Sequence, residues 1–135
     1  MPIFDLREIE AIQKGKLRFL KLVEPKYCRF DEFVYNIRKG KQTNFTKELN
    51  TIFSRMQIMA EKDQIMPSTW FKPVKDRGRA VAYEFKTKSL RVYCVKKEPD
   101  VIVVLGGFKK NQKKDIAQLI KLINSDLFQH ELAKL

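Results

Sequence analysis

A chain of 135 residues has the length of one domain, and 44% hydrophobic content with ten Phe is typical of a folded core. The formal net charge of +12 favours partners that are rich in phosphate, such as nucleic acids. No apolar run approaches the roughly 20 residues that a bilayer-spanning helix needs, and the N-terminus lacks a secretory pattern. We therefore expect one soluble, cytoplasmic domain over residues 1–135, with no membrane partner.

The cysteine and histidine content argues against a metal centre. Cys28 and Cys94 lie in apolar surroundings far apart in the sequence, and His130 is the single histidine. These residues have no metal-ligand spacing, so we expect two buried thiols, no metal and no small-molecule cofactor.

Apolar spacing predicts a strand and a helical hairpin in the first half of the chain. In chain order the predicted elements are a short helix over residues 5–13, a strand over residues 17–23, and helices over residues 29–39 and 43–59. Pro25 ends the strand because proline cannot donate to a continuing ladder. Gly40 ends the first long helix, and the short link after it predicts an antiparallel hairpin.

The second half predicts a three-stranded meander and a final helix. The elements are a connector over residues 66–79, strands over residues 81–86, 90–95 and 101–105, a helix over residues 112–124, and a weakly specified tail over residues 125–135. The tail contains His130, which we expect to be a solvated surface residue. The N-terminal residues 1–15 form an extension.

A two-residue turn at Lys88-Ser89 fixes the register of the first two meander strands. The predicted pairs are Phe85 with Val92 and Tyr83 with Cys94 on the core side, and Lys86 with Arg91 and Glu84 with Tyr93 on the other side. Like charges directly across a ladder destabilise it, so the Lys86 and Arg91 pair is easier to understand with an anion between them. The alternative is that both side chains extend into water.

The positive charge is concentrated in one part of the chain. Residues 71–114 carry thirteen Lys or Arg against four acids, whereas the remaining residues carry fifteen against twelve. A local basic field attracts phosphates, so the pattern favours a nucleic-acid partner. The alternative is a generally lysine-rich soluble surface.

Three short patterns in this order carry a family resemblance. They are Tyr83-Glu84-Phe85-Lys86, Leu90-Arg91-Val92-Tyr93 and Gly107-Phe108-Lys109-Lys110. They resemble the RelE/ParE superfamily of bacterial toxins, especially its HigB-like branch and phage relatives, where Tyr-Glu-Leu-Arg, Tyr-Arg-Val-Tyr and His-Gly-Phe-Lys-Lys recur. The resemblance covers residues 17–124. It implies an α+β fold with an N-terminal strand and helical hairpin on an antiparallel meander, followed by a C-terminal helix.

The resemblance implies the toxin of a type II toxin-antitoxin system, which cleaves messenger RNA on the ribosome. The ribose 2′-hydroxyl attacks the adjacent phosphate without a metal, so the protein must orient the nucleophile and neutralise the phosphate oxygens. The implied partners are an antitoxin protein, the ribosome and messenger RNA. The implied catalytic residues are Arg91, Lys86, Lys110, Glu84 and Tyr93. The expected RNA-binding residues are Lys72, Lys75, Trp70, Lys109 and Lys113, with Phe71 beside Trp70 as a second stacking surface.

Two departures from the family pattern leave other functions open. Gly106 replaces the family's histidine, and residues 115–117 lack the tyrosine that the RelE branch uses. The alternatives are a noncatalytic nucleic-acid-binding module of the same fold and a gyrase inhibitor of the ParE type. Glu84 has a structural alternative as an ion-pair partner of Lys86 or Arg91, and Tyr93 has one as a half-buried strand residue.

Overall fold

The computed structural model describes residues 3–62, 66–74 and 81–135, and these residues form six strands and four helices. In chain order they are β1 (Asp5–Glu8), β2 (Arg18–Val23), α1 (Arg29–Lys39), α2 (Thr43–Lys62), β3 (Phe71–Pro73), β4 (Ala82–Lys86), β5 (Leu90–Lys97), β6 (Asp100–Phe108), α3 (Gln112–Ile123) and α4 (Asp126–Ala133). A single 3-10 turn, Lys109–Asn111, joins β6 to α3. None of the helices described here is long and apolar enough to cross a bilayer.

The strands form one mixed open sheet in the order β1-β2-β6-β5-β4-β3. The predicted meander of β4, β5 and β6 is antiparallel. The N-terminal strand β2, for which no direction was predicted, pairs with β6 in parallel, so the sheet as a whole is mixed. A parallel neighbour requires a long crossover, and the helical hairpin begins that connection. The fold is therefore α+β, as predicted.

Helices cover both faces of the sheet. Phe30 of α1 and Leu49 of α2 pack with Val92 and other residues of one face. Leu119 of α3 and Phe128 of α4 pack with Tyr93 and other residues of the opposite face. The two central strands, β5 and β6, are therefore buried on both sides, which explains the continuous apolar run of β6.

Both ends of the chain differ from the prediction. The predicted helix over residues 5–13 is wrong, because Asp5–Glu8 instead forms an edge strand on β2. The tail after Ser125, which the sequence specifies only weakly, forms the helix α4. The Ser125 hydroxyl caps this helix by accepting a hydrogen bond from the Phe128 N–H. Phe128 is buried against the sheet, so tertiary packing stabilises a helix that is only eight residues long.

The predicted register of β4 and β5 is confirmed. Phe85 lies opposite Val92 and Lys86 lies opposite Arg91. Glu48 of α2 holds the turn between these strands, because its carboxylate accepts hydrogen bonds from the Thr87 hydroxyl and the Ser89 N–H. Burial raises the pKa of Glu48, but these hydrogen bonds outweigh it and leave the pKa below its ordinary value of 4.5.

Replacement of Glu48 by Gln should therefore lower the free energy of unfolding by about 1 kcal/mol at neutral pH. The carboxylate has a lower pKa in the folded state than in the unfolded state, so its contribution is present above pH 4.5. The contribution is lost as the pH falls through the folded-state pKa. Urea denaturation at neutral and acidic pH measures the difference, with Glu10→Gln as the exposed control. An equal difference between wild type and variant at both pH values would contradict this assignment.

Candidate nucleic-acid interface

Three of the predicted catalytic residues come together, but they are buried. Glu84, Arg91 and Tyr93 lie on the sheet face that α3 covers, with 2%, 7% and 0% of their surfaces exposed. The expected exposed cationic face is therefore absent at these positions. Sequence reasoning identified the correct face of β4 and β5, but it did not anticipate that a helix would cover this face.

Arg91 is held by its neighbours and by one carboxylate. Its Nε atom lies 3.1 Å from Oε2 of Glu84, and its Nη1 atom donates to the carbonyls of Thr87 at 2.6 Å and Leu90 at 2.8 Å. Gln112 of α3 donates its amide to both Glu84 oxygens at 3.2 Å. The anion that was expected beside Lys86 and Arg91 is therefore the Glu84 carboxylate. Glu84 forms an ion pair with Arg91, which was the structural alternative that the sequence offered for it.

The phenol of Tyr93 is enclosed in the same cluster. Its hydroxyl oxygen has no hydrogen-bond partner among the residues described. Burial raises the pKa of Tyr93 far above its ordinary value, and the carboxylates of Glu84 and Asp115 raise it further. The phenol is therefore neutral at physiological pH.

Lys86 and Lys110 are placed differently from the three buried residues. Lys86 is half-buried beside Arg91, and within the described ranges its ammonium forms no ion pair. Lys110 lies on the opposite side of the sheet end, where its Nζ atom is 5.8 Å from the ring centroid of Phe108. Phe108 in turn contacts Phe45 of α2. The five residues therefore do not converge on one site, because Lys110 faces the helical hairpin and Arg91 faces α3.

The predicted RNA-binding residues do not form one surface either. Trp70 has the Arg55 guanidinium over its ring at 4.5 Å, and Phe71 stacks on Tyr83 with ring centroids 4.9 Å apart. Both rings are therefore occupied within the protein. Lys72 is half-buried on β3 opposite Glu84, whereas Lys109 and Lys113 are exposed. Lys75 lies outside the described residues.

Exposed cations gather instead in a groove where β6 ends. A cavity of about 750 Å³ is lined by Gln42, Phe45, Lys88, Ser89, Phe108, Lys109 and Lys110, and we call this set the Phe108 groove. An adjoining cavity of about 310 Å³ shares Gln42, Phe45 and Phe108 and extends the groove along the helical hairpin. The N–H of Lys109 donates to the Ser89 carbonyl at 2.7 Å, which fixes the two lysine-bearing segments beside each other.

The Phe108 groove combines aromatic rings with exposed positive charge. Phe45 and Phe108 meet edge to face with centroids 5.1 Å apart. Lys88, Lys109 and Lys110 are exposed, and no acidic residue of the described chain lines this cavity. Aromatic surfaces that stack on bases, together with cations that follow phosphates, are the usual elements of single-strand binding. Sequence reasoning assigned Phe45 to the core, although the lysines after Phe108 indicated this location.

Two glycines allow helices to approach β6 closely from both sides. A β-carbon at Gly106 would lie 2.5 Å from the ring of Phe33 in α1, and one at Gly107 would overlap Oδ2 of Asp115 in α3. A histidine at position 106, as in the family pattern, would therefore collide with Phe33.

Comparison with known proteins identifies no relative: no family model, no curated protein and no solved structure matches this chain. The family resemblance consequently depends on the three sequence patterns and on the order of the elements between residues 17 and 124.

Proposed function

We propose that this chain is a toxin of the RelE/HigB type that binds single-stranded RNA in the Phe108 groove. One observation carries the proposal: three exposed lysines surround two aromatic rings in a groove that none of the described acidic residues lines. Exposed lysines in such a position neutralise phosphates, and the half-buried rings of Phe45 and Phe108 that line the cavity contact bases.

The order of the elements supports the toxin part of the proposal. From β2 to α3 the chain runs as a strand, a helical hairpin and an antiparallel meander, with a final helix, as the resemblance implies. In this proposal the partners are messenger RNA on the ribosome and an antitoxin that covers the Phe108 groove in the cytoplasm. An acidic antitoxin segment would complement the three lysines.

Cleavage of the bound RNA is a second candidate function. Lys86 favours it, because this residue lies opposite Arg91 on the ladder and its ammonium forms no ion pair among the described residues. A phosphate that drew Arg91 away from Glu84 would meet two cations, and the freed carboxylate could accept the 2′-hydroxyl proton. The 2′-oxygen then bonds to phosphorus while the bond from phosphorus to the 5′-oxygen breaks, and water protonates the leaving 5′-oxygen. This route requires Gln112 to release Glu84, whereas binding in the groove requires no rearrangement.

The test uses the purified full-length chain with labelled single-stranded RNA, double-stranded RNA and a message under translation. We expect fluorescence anisotropy to show preferential binding of the single strand, with an affinity that falls as salt rises. Newly formed ends with a cyclic phosphate in the translated message would support cleavage. Equal binding of all nucleic acids or none, with inhibition of gyrase, would contradict the proposal and favour the ParE-type alternative.

A further inference from the structure

The end of the helical hairpin where α1 meets α2 carries positive charge without any acid. Residues 33–47, which we call the hairpin tip, contain four cations and no Asp or Glu. All four side chains are exposed, and they are Arg38, Lys39, Lys41 and Lys47. The tip adjoins the Phe108 groove, because residues of both helices and of their link line the groove's extension.

Helix electrostatics account for only part of this charge. Arg38 and Lys39 lie in the last turn of α1, where cations stabilise the helix dipole. Lys41 lies just before α2, at a helix end where the dipole favours an anion instead. Unlike α1, α3 and α4, the helix α2 has no acid in its first turn. The tip therefore keeps a positive field that attracts a polyanion.

Tyr35 is an exposed aromatic ring within this tip. It is 64% exposed, whereas Phe45 and Phe108 of the groove are half-buried. The Nζ atom of Lys39 lies 5.2 Å from the Tyr35 ring centroid, and both side chains remain largely in solvent. A single exposed ring is common on protein surfaces and indicates nothing alone. An exposed ring among cations that no acid of the tip offsets is typical of a surface that stacks on a base.

Lys39 connects Tyr35 with the groove. It follows Tyr35 by four residues and Asn36 by three, so it neighbours both side chains on the surface of α1. Asn36 lines the extension of the Phe108 groove together with Lys41. An exposed path therefore leads from the groove, past Asn36 and Lys39, to the ring of Tyr35.

We propose that Tyr35 is a second stacking site for the single-stranded RNA that the Phe108 groove holds, and that Lys39 and Lys41 contact the phosphates between the two sites. The inference rests on the proposed function, because it extends the path of the RNA from that groove. Successive aromatic rings along a basic path bind single strands with little regard to sequence, since every base has a face that stacks. The partner is therefore RNA of any sequence that is long enough to span both sites.

The charge of α1 ends this path at Tyr35. Asp31 and Glu32 lie one turn closer to the start of the helix, and both are exposed. The Lys21 ammonium lies 2.9 Å from the Asp31 carboxylate, whereas Glu32 forms no ion pair within the described residues. Negative charge at this place repels phosphates. The RNA should therefore leave the protein after Tyr35, and the whole site should hold about five to eight nucleotides.

The first test compares the trinucleotide UUU with the octanucleotide UUUUUUUU by fluorescence anisotropy. UUU occupies the Phe108 groove alone, whereas the octanucleotide also reaches Tyr35. Tyr35→Ala should weaken binding of the octanucleotide about 10-fold and leave binding of UUU unchanged, since a stacked base contributes on this scale. Tyr35→Phe keeps the flat ring and should bind both RNAs as the wild type does. Unchanged affinity of Tyr35→Ala for the octanucleotide would overturn the assignment and favour a protein partner for this ring.

Tyr27→Ala is the matched control. Tyr27 is also exposed and has the Arg29 guanidinium 5.0 Å from its ring centroid, but it lies before the start of α1 and lines neither cavity of the groove. This variant should bind both RNAs as the wild type does. Alanine has a higher helix propensity than tyrosine, so the fold should tolerate Tyr35→Ala. Equal losses in the two alanine variants would overturn the second stacking site.

The second test follows the ring signals of Tyr35 by nuclear magnetic resonance while each RNA is added to the wild type. The octanucleotide should shift these signals, and UUU should leave them in place. If both RNAs bind but the octanucleotide does not shift the Tyr35 signals, the inference fails and the proposed function stands. If neither RNA binds, the proposed function fails, and the second stacking site fails with it.

Discussion

Arg91→Ala is expected to lower the free energy of unfolding by about 3–5 kcal/mol, because it leaves a buried carboxylate without its cation. The Glu84 side chain is only 3% exposed and lies 3.1 Å from the Arg91 guanidinium. After the substitution, the Gln112 amide is the donor that remains for Glu84 in the described chain. Chemical denaturation of wild type and variant measures the change.

Two matched variants separate the buried charge from the loss of a side chain. Arg7→Ala removes an exposed arginine that also pairs with a carboxylate, and we expect it to cost less than about 1 kcal/mol. The double variant Glu84→Gln/Arg91→Met should recover most of the stability, since it removes both charges. An Arg91→Ala protein as stable as Arg7→Ala would contradict the account of the cluster.

The expected loss of stability in Arg91→Ala also affects the choice of variant for testing the cleavage hypothesis. A loss of activity in Arg91→Ala would be ambiguous, because the fold itself is weakened. Lys86→Gln is the better variant, since the Lys86 ammonium takes part in no ion pair within the described residues. Loss of cleavage with unchanged stability would then assign Lys86 to the reaction.

Replacing Lys88, Lys109 and Lys110 together by Gln is expected to weaken single-stranded RNA binding on the order of 10- to 100-fold at low salt. The three ammonium groups line the Phe108 groove and are exposed. Each phosphate contact releases counterions, so the slope of log affinity against log salt should fall by about 2. Fluorescence anisotropy over a range of salt concentrations gives both quantities.

The matched control removes the same charge elsewhere. Lys14, Lys16 and Lys121 are exposed and lie outside the lining of the Phe108 groove. Their joint replacement by Gln should change the affinity by about 3-fold or less and leave the salt slope nearly unchanged. Equal losses in the two triple variants would mean that RNA binds through diffuse charge, and the groove would lose its assigned role.

The elements with long apolar repeats could be predicted from the sequence. The helical hairpin and the register of β4 with β5 follow from residue spacing, because one face of each element is buried. The edge strand β1 and the helix α4 could not be predicted, since both are short and are stabilised by packing on the rest of the chain.

The burial of Glu84 and Arg91 could not be predicted from the sequence either. Alternation of polar and apolar residues usually indicates one solvated face, and Glu84 and Arg91 follow that pattern. Here α3 covers the face, and beneath it Glu84 pairs with Arg91 and accepts a hydrogen bond from Gln112, whereas the Tyr93 hydroxyl has no partner among the described residues. The Phe108 groove was not predicted, because the spacing of Phe45 on α2 indicates a core residue, whereas this side chain also lines a surface cavity.

Photochemical crosslinking of RNA containing a reactive uridine analogue, followed by mapping of the modified peptide, tests the central claim most directly. We expect crosslinks at Phe45 or Phe108, whose rings lie 5.1 Å apart among the three lysines. Crosslinks confined to the β1 and β2 end of the sheet, with Phe45 and Phe108 unmodified, would contradict the assignment of RNA to this groove.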